Sequence, residues 1–148
     1  MAHATRENLG YLLAKASQRW NEELQAGFAE AGFPEVRASY GSVLLPLLEE
    51  DGLRMGEIAR RARLSKQTIT TMVRLCERDG LVERRPDAAD GRATRVYLTA
   101  KARRFQPAAE HVLAGLERDV KGALGARRLG ELRLSLKELS RAMFTGDA

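Results

Sequence analysis

The chain has 148 residues, of which 44% are hydrophobic and 30% charged. That balance fits one folded domain with a largely aliphatic core and excludes wholesale disorder. One cysteine, Cys76, and two histidines, His3 and His111, exclude an internal disulfide and leave too few ligands for a cysteine-based zinc cluster or histidine-based catalysis.

Thr5 opens the first predicted helix, in which Leu9, Leu12, Leu13, Ala16, Trp20, Leu24 and Phe28 recur at three- and four-residue steps. Gly32-Phe33-Pro34 ends it. A second helix is predicted from Val36 or Ser39 to Glu50, with Val43, Leu44, Leu47 and Leu48 inward. Pro46 should kink or break it early, and Asp51-Gly52 stops it. Met55 to Arg63 is a short third helix. Ser65 caps a fourth, Lys66 to Arg78, which closes at Asp79-Gly80.

Leu81 to Arg85 and Thr94 to Leu98 read as two strands around a polar loop, Pro86 to Ala93, longer than a tight turn requires. Thr99 caps a long helix with Phe105, Val112, Leu113, Leu116 and Val120 inward, bent at Pro107 and broken near Gly122 and Gly125. The last helix spaces Leu129, Leu132, Leu136, Leu139 and Met143 by alternating steps of three and four. That is the narrow seam one helix buries against another.

The charge is concentrated. Residues 54–104 hold 14 Lys+Arg against 6 Asp+Glu, net +8, while residues 1–53 are net −4 and residues 105–148 net +1. A concentrated basic surface attracts polyanions, nucleic acid first among them. The same stretch holds the short helix, turn, second helix and hairpin of a winged helix-turn-helix. The second helix of such a motif fits the DNA major groove. Ile69, Met72, Val73 and Cys76 face inward, and Ser65, Lys66, Gln67, Thr70, Thr71 and Arg74 face outward, with no carboxylate on that outward face before Glu77. The plainer reading is a helical hairpin in a core.

From Met55 to Thr99 the sequence resembles the DNA-binding region of MarR-type transcriptional regulators. The most specific stretches are Asp79-Gly-Leu-Val-Glu-Arg-Arg-Pro-Asp87, then Asp90-Gly91-Arg92, then Leu98-Thr99. The resemblance implies a mainly α fold with a small β-hairpin wing, a winged helix-turn-helix with N- and C-terminal dimerisation helices. It implies one domain over 1–148, with a DNA-binding lobe at 36–99 and dimerisation helices at 5–31 and 105–145. Its implied function is a homodimeric regulator of double-stranded DNA, a repressor on a pseudo-palindromic operator, released by a small-molecule effector. Departures from the family pattern are Arg63 at a turn position often held by Gly, Ala102 in place of Gly, and Pro107.

The resemblance places Arg92 in the minor groove, where Arg suits the concentrated negative potential; the alternative is an exposed loop charge. Asp90 is expected to orient the wing by pairing with a basic neighbour. Arg84, Arg85, Arg95 and Lys101 are candidates for backbone phosphates, with about half expected to reach them, because strand alternation turns some away. Ser39, just after Arg37, either caps a helix or offers its N-terminus to a phosphate. Cys76 is expected to pack in the core rather than sense oxidants. Leu9, Leu129, Leu132, Leu136, Leu139 and Met143 are expected at the dimer interface. Tyr11, Trp20, Tyr40 and His111 either line an effector cleft or pack in the core. No catalytic constellation, metal site or cofactor site is expected, so the chain does not read as an enzyme. Neither a membrane span nor a secretory signal is expected, which points to a cytoplasmic, nucleoid-associated protein. The rival reading is a winged-helix protein-interaction module without sequence-specific DNA binding.

Overall fold

The computed structural model describes residues 5–144; His3 lies outside them. The chain divides into two compact units, Met1–Val112 and Leu113–Ala148, the division falling within one helix.

The first unit begins with α1 (Leu9–Glu30). Its cap is Asn8, whose side chain accepts from the Gly10 and Tyr11 amides at 2.9 and 3.4 Å, and not Thr5, which lies one turn earlier. Gly32, at φ +98°, ends the helix, and the Phe33 amide reaches back to the Phe28 carbonyl at 2.8 Å. This is the left-handed closing turn that glycine adopts without strain. Only Leu24 and Phe28 of α1 are buried; Leu9, Tyr11, Leu12 and Leu13 are exposed. Phe28 meets Phe105 edge to face with ring centroids 4.8 Å apart. Gly27 permits this approach: a Cβ there would stand 2.4 Å from a Val112 methyl.

The second helix begins later than the sequence predicts. The Gln25 side chain donates to the Val36 carbonyl at 2.5 Å and accepts from the Ala38 amide at 3.2 Å, and Arg37 is extended. A 3₁₀ turn (Ala38–Tyr40) then leads into α2 (Gly41–Glu49). Ser39 lies inside that turn and caps neither element, which corrects the capping expectation. Pro46 is buried within α2, which continues one more turn. Leu48, expected inward, is exposed, as is Leu45.

A strand follows that the sequence does not predict: β1 (Leu53–Arg54). Then come α3 (Met55–Ala62), α4 (Lys66–Arg78), β2 (Val82–Pro86) and β3 (Thr94–Leu98). The expected hairpin is thus part of a three-stranded antiparallel sheet in the order β1-β3-β2. Arg54 pairs with Arg95, and Arg95 with Arg85 on its other side. Val43, Ile58, Ile69, Val73, Cys76, Leu81 and Val96 have no exposed surface. They form one aliphatic core beneath α2, α3, α4 and the sheet.

The last helices are α5 (Ala100–Leu124) and α6 (Ala126–Phe144). α5 runs through Pro107 and Gly122 without interruption; the break is at Gly125 alone, at φ +87°. In the second unit Arg133 donates to Glu117 at 3.1 Å. Among its described side chains α6 has no buried residue, and along its seam Leu136 is 43% and Met143 68% exposed. Among the described residues, no helix is long and apolar enough to cross a membrane.

Ser65 accepts from the Thr68 amide at 3.0 Å and so caps α4. Ser65→Ala should lower unfolding stability by about 1 kcal/mol in urea denaturation, and Ser65→Asp should recover most of it.

Candidate nucleic-acid interface

The turn between α3 and α4 holds the geometry of the site. Arg63 adopts the left-handed conformation its position demands, at φ 56° and ψ 44°, and the Leu64 amide donates to the Ala59 carbonyl at 3.1 Å. Small, buried Ala59 lies in α3, and Ile69, Val73 and Cys76 anchor one side of α4. Ser65, Lys66, Gln67, Thr71 and Arg74 are exposed on the other side, with Thr70 half-buried. The hydroxyls of Thr70 and Thr71 donate back to the Lys66 and Gln67 carbonyls at 2.8 and 3.1 Å. Such back-bonding fixes each hydroxyl while its oxygen can still accept.

Glu77, the first carboxylate of α4, is gripped by Arg84, whose Nε and Nη2 donate at 3.1 and 2.9 Å. The bond from Arg84 holds the Glu77 carboxyl below its ordinary range. The end of α4 is tied down further. Tyr40, 1% exposed, donates its hydroxyl to Asp79 at 2.5 Å. Burial, and then that bond, push the phenol up to about 12. Lys101 spans Glu35 at 2.6 Å and the Asp79 carbonyl at 2.7 Å.

The base of the wing turns on Asp87, a buried carboxylate at 5% exposure. Its Oδ1 accepts from the Ala89 amide at 2.8 Å. Its Oδ2 accepts from Arg54 Nε and Nη2 at 3.1 and 2.7 Å and from Arg95 Nε at 2.8 Å. The Ala89 amide, then Arg54 and Arg95, hold its carboxyl far below the ordinary range. Stability from this depression is present above the unfolded-state value near 4 and is lost as pH falls toward the folded value. Asp90, expected to orient the wing through a basic partner, faces Arg92: it accepts the Arg92 amide at 3.1 Å, and the Arg92 guanidinium stands 3.9 Å from its carboxylate, a loose ion pair. The Arg92 side chain is 99% exposed.

The four cations proposed for phosphates all have intramolecular partners. Arg84 holds Glu77, and Arg85 holds Glu83 and lies 4.7 Å over the Tyr97 ring. Arg95 holds Asp87 and the Gly52 carbonyl at 2.7 Å, and Lys101 holds Glu35. The expectation that about half would be available for phosphate therefore meets a competing partner in every case. By contrast, Lys66 and Arg92 line one open cleft together with Arg54, Arg60 and Arg95. Arg54 and Arg60 were not singled out from the sequence. Arg54 is placed by β1, which is too short to show periodicity, and Arg60 by the last turn of α3.

The four aromatic and histidine residues considered for an effector cleft are scattered in their environments. Tyr40 is a core residue bonded to α4, Tyr11 and His111 are exposed, and Trp20 is half-buried. An open groove of about 970 Å³ runs along α1 and the 3₁₀ turn, lined by residues that include Asn21, Gln25, Ala29, Arg37 and Ser39. None of the four lines it.

A helix held by one face, a cation-lined cleft at its first turn and a β wing with an exposed arginine at the tip define a winged helix-turn-helix of the DNA-binding type. The chain belongs to the MarR family of transcriptional regulators. A model of the MarR family matches residues 38–93. The HTH-type transcriptional repressor Rv2887 of Mycobacterium tuberculosis is 31% identical over 134 residues, 88% of this chain and 92% of the relative. A solved structure of the transcriptional repressor CouR bound to a 23-mer DNA duplex is 25% identical, with a TM-score of 0.78 over 94% of this chain and 99% of that one. Rv2887 in complex with salicylic acid superposes with a TM-score of 0.65 at 28% identity, covering 93% and 99% of the two chains.

Cys76 has no exposed surface, and burial pushes its thiol up to about 12. Only the thiolate is reactive. Native protein at pH 8 should therefore remain unlabelled by iodoacetamide, and unfolded protein should take up one label, as read by intact mass. Rapid native labelling would show that α4 opens from the core.

Proposed function

We propose that the protein is a repressor that binds double-stranded DNA sequence-specifically as a homodimer on a pseudo-palindromic operator. The observation that carries this reading is the shared cleft of Lys66 and Arg92, which joins the first turn of α4 to the wing. In this reading Gln67, Thr71 and Arg74 meet base edges in the major groove, with Ser65, Lys66 and Thr70 beside them at the backbone. Arg92 enters the adjacent minor groove. Arg84 and Arg95 act mainly by holding α4 and the wing through their carboxylate partners. Ser39 has no part in capping and contributes at most a hydroxyl near the backbone.

The dimer reading rests on the exposed seam of α6, in which Leu132, Leu136 and Met143 are open and Leu129 and Leu139 half-buried, and on exposed Leu9 of α1. A two-fold pair of such chains sets its recognition helices about 34–36 Å apart, one helical turn of DNA. A small-molecule effector is part of the proposal, with salicylic acid bound to the related Rv2887 as support. The groove along α1, with Arg37 in its lining, is the place proposed for it. A regulator of this kind works in the cytoplasm at the nucleoid and needs no metal, cofactor or catalytic site.

The testing experiment is selection of binding sites from random duplexes, with affinities at several salt concentrations. A dimer with about 6–10 phosphate contacts should lose roughly 10³–10⁵ in affinity between 50 and 200 mM salt. Gln67→Ala and Arg74→Ala should relax preference at particular base pairs, each good pair being worth about 1–3 kcal/mol. Arg92→Ala should weaken binding and leave the core motif nearly unchanged. No binding to any duplex at low salt would favour a protein-interaction module instead.

Leu136→Asp places a charge in the seam, at a cost of several kcal/mol if the seam is buried between protomers. Light scattering should show a dimer for the parent and monomer or aggregate for the variant. A monomeric parent at micromolar concentration contradicts the homodimer.

A further inference from the structure

We infer that Asp87 is the positioning residue of the wing: acting through Arg54 and Arg95, it sets where the hairpin loop presents Arg92 to DNA. This rests on the DNA-binding reading above.

The sheet register creates the need for such a residue. Arg54, Arg95 and Arg85 are direct cross-strand partners on β1, β3 and β2. Like charges opposite one another destabilise a strand pair. Arg85 is drawn off onto the Tyr97 ring and Glu83. Arg54 and Arg95 remain, and the Asp87 Oδ2 accepts from both. The same carboxylate takes the Ala89 amide on its other oxygen, and the Asp87 amide donates to the Ala93 carbonyl at 2.9 Å. One buried group thus joins β1 and β3 to both ends of the loop.

Arg92 has no comparable support of its own. Its guanidinium lies 3.9 Å from Asp90 and is otherwise in solvent. What places it is the loop backbone, stiffened by the Ala93 amide on the Asp90 carbonyl at 2.9 Å and the Arg92 amide on the Asp90 side chain at 3.1 Å. That backbone hangs from Asp87. With the carboxylate gone, two guanidinium groups face each other unneutralised and the base of the loop loses four hydrogen bonds from three residues. Arg92 then has to be ordered at the moment of binding, which weakens the contact.

A double-mutant cycle separates positioning from simple upkeep of the fold. Dissociation constants are measured for the parent, Asp87→Asn, Arg92→Ala and the double variant, all as full-length protein, on the duplex the parent selects. Asp87→Asn is expected to weaken binding roughly tenfold when Arg92 is present and less than about twofold when residue 92 is already Ala. Equal weakening in both backgrounds, or none in either, overturns the assignment. If Asp87→Asn does not fold, Arg54→Gln is run through the same cycle, because it removes one arm of the clamp and leaves the Asp87–Arg95 pair. A direct phosphate contact by Arg54 would add independently of Arg92, whereas positioning is non-additive. A parent that binds no duplex at low salt overturns the DNA-binding reading itself, and the wing assignment falls with it.

Discussion

The interface depends on α4 being held entirely from one side. Ile69, Val73 and Cys76 have no exposed surface, and the adjoining core side chains Val43, Ile58 and Val96 have none either. Full burial of an Ile or Val side chain is worth about 1.5–3 kcal/mol, whereas an exposed ion pair contributes about 0–1 kcal/mol. The aliphatic seam therefore supplies the stability, and the many surface ion pairs supply little of it. What the ion pairs do is local: Arg84 on Glu77 fixes the end of α4 against β2, and Arg103 on Asp51 fixes the start of α5 near the turn before β1. A helix anchored this way can leave Lys66, Gln67 and Arg74 uncommitted.

The helix-turn-helix is legible in the sequence because each of its signals is local. Ser65 caps within its own turn and Gly80 closes at φ +78°; Arg63, a departure by residue type, still takes the left-handed conformation of the turn. The buried periodicity of α4 needs no knowledge of what covers it. β1 is different. Two residues carry no period, and Leu53-Arg54 becomes a strand only because β3 lies alongside. Thr5 and Asn8 both fit a capping position by residue type, and it is the Asn8 side chain that takes the Gly10 and Tyr11 amides. α2 starts later than the sequence predicts because the Gln25 side chain holds Val36 and Ala38 from more than ten residues away.

The candidate site was legible in outline and less so in its division of labour. The net charge of +8 over residues 54–104 marks the basic region but treats all its cations alike. The fold sorts them. Arg84, Arg85, Arg95 and Lys101 lie against carboxylates, while Lys66, Arg74 and Arg92 project into solvent. The sequence marks Asp87 only as part of a family pattern and points to Asp90 for orienting the wing. The Pro86-Asp87 pair does carry a local clue, because Asp after Pro favours a side-chain-capped turn two residues on, as the Ala89 amide shows. Its two arginine partners come from β1 and β3, 33 positions before it and 8 after, so their convergence is a property of the sheet.

The central claim is that α4 occupies a major groove while the wing occupies the minor groove beside it. Methylation interference tests this directly, since dimethyl sulfate modifies guanine N7 in the major groove and adenine N3 in the minor groove. On the duplex the parent selects, guanine methylation is expected to block binding in two patches one helical turn apart. Adenine methylation is expected to block it only in the flanks, and that flanking block should vanish with Arg92→Ala. Binding that tolerates methylation in both grooves, or a flanking block that persists without Arg92, would contradict the account.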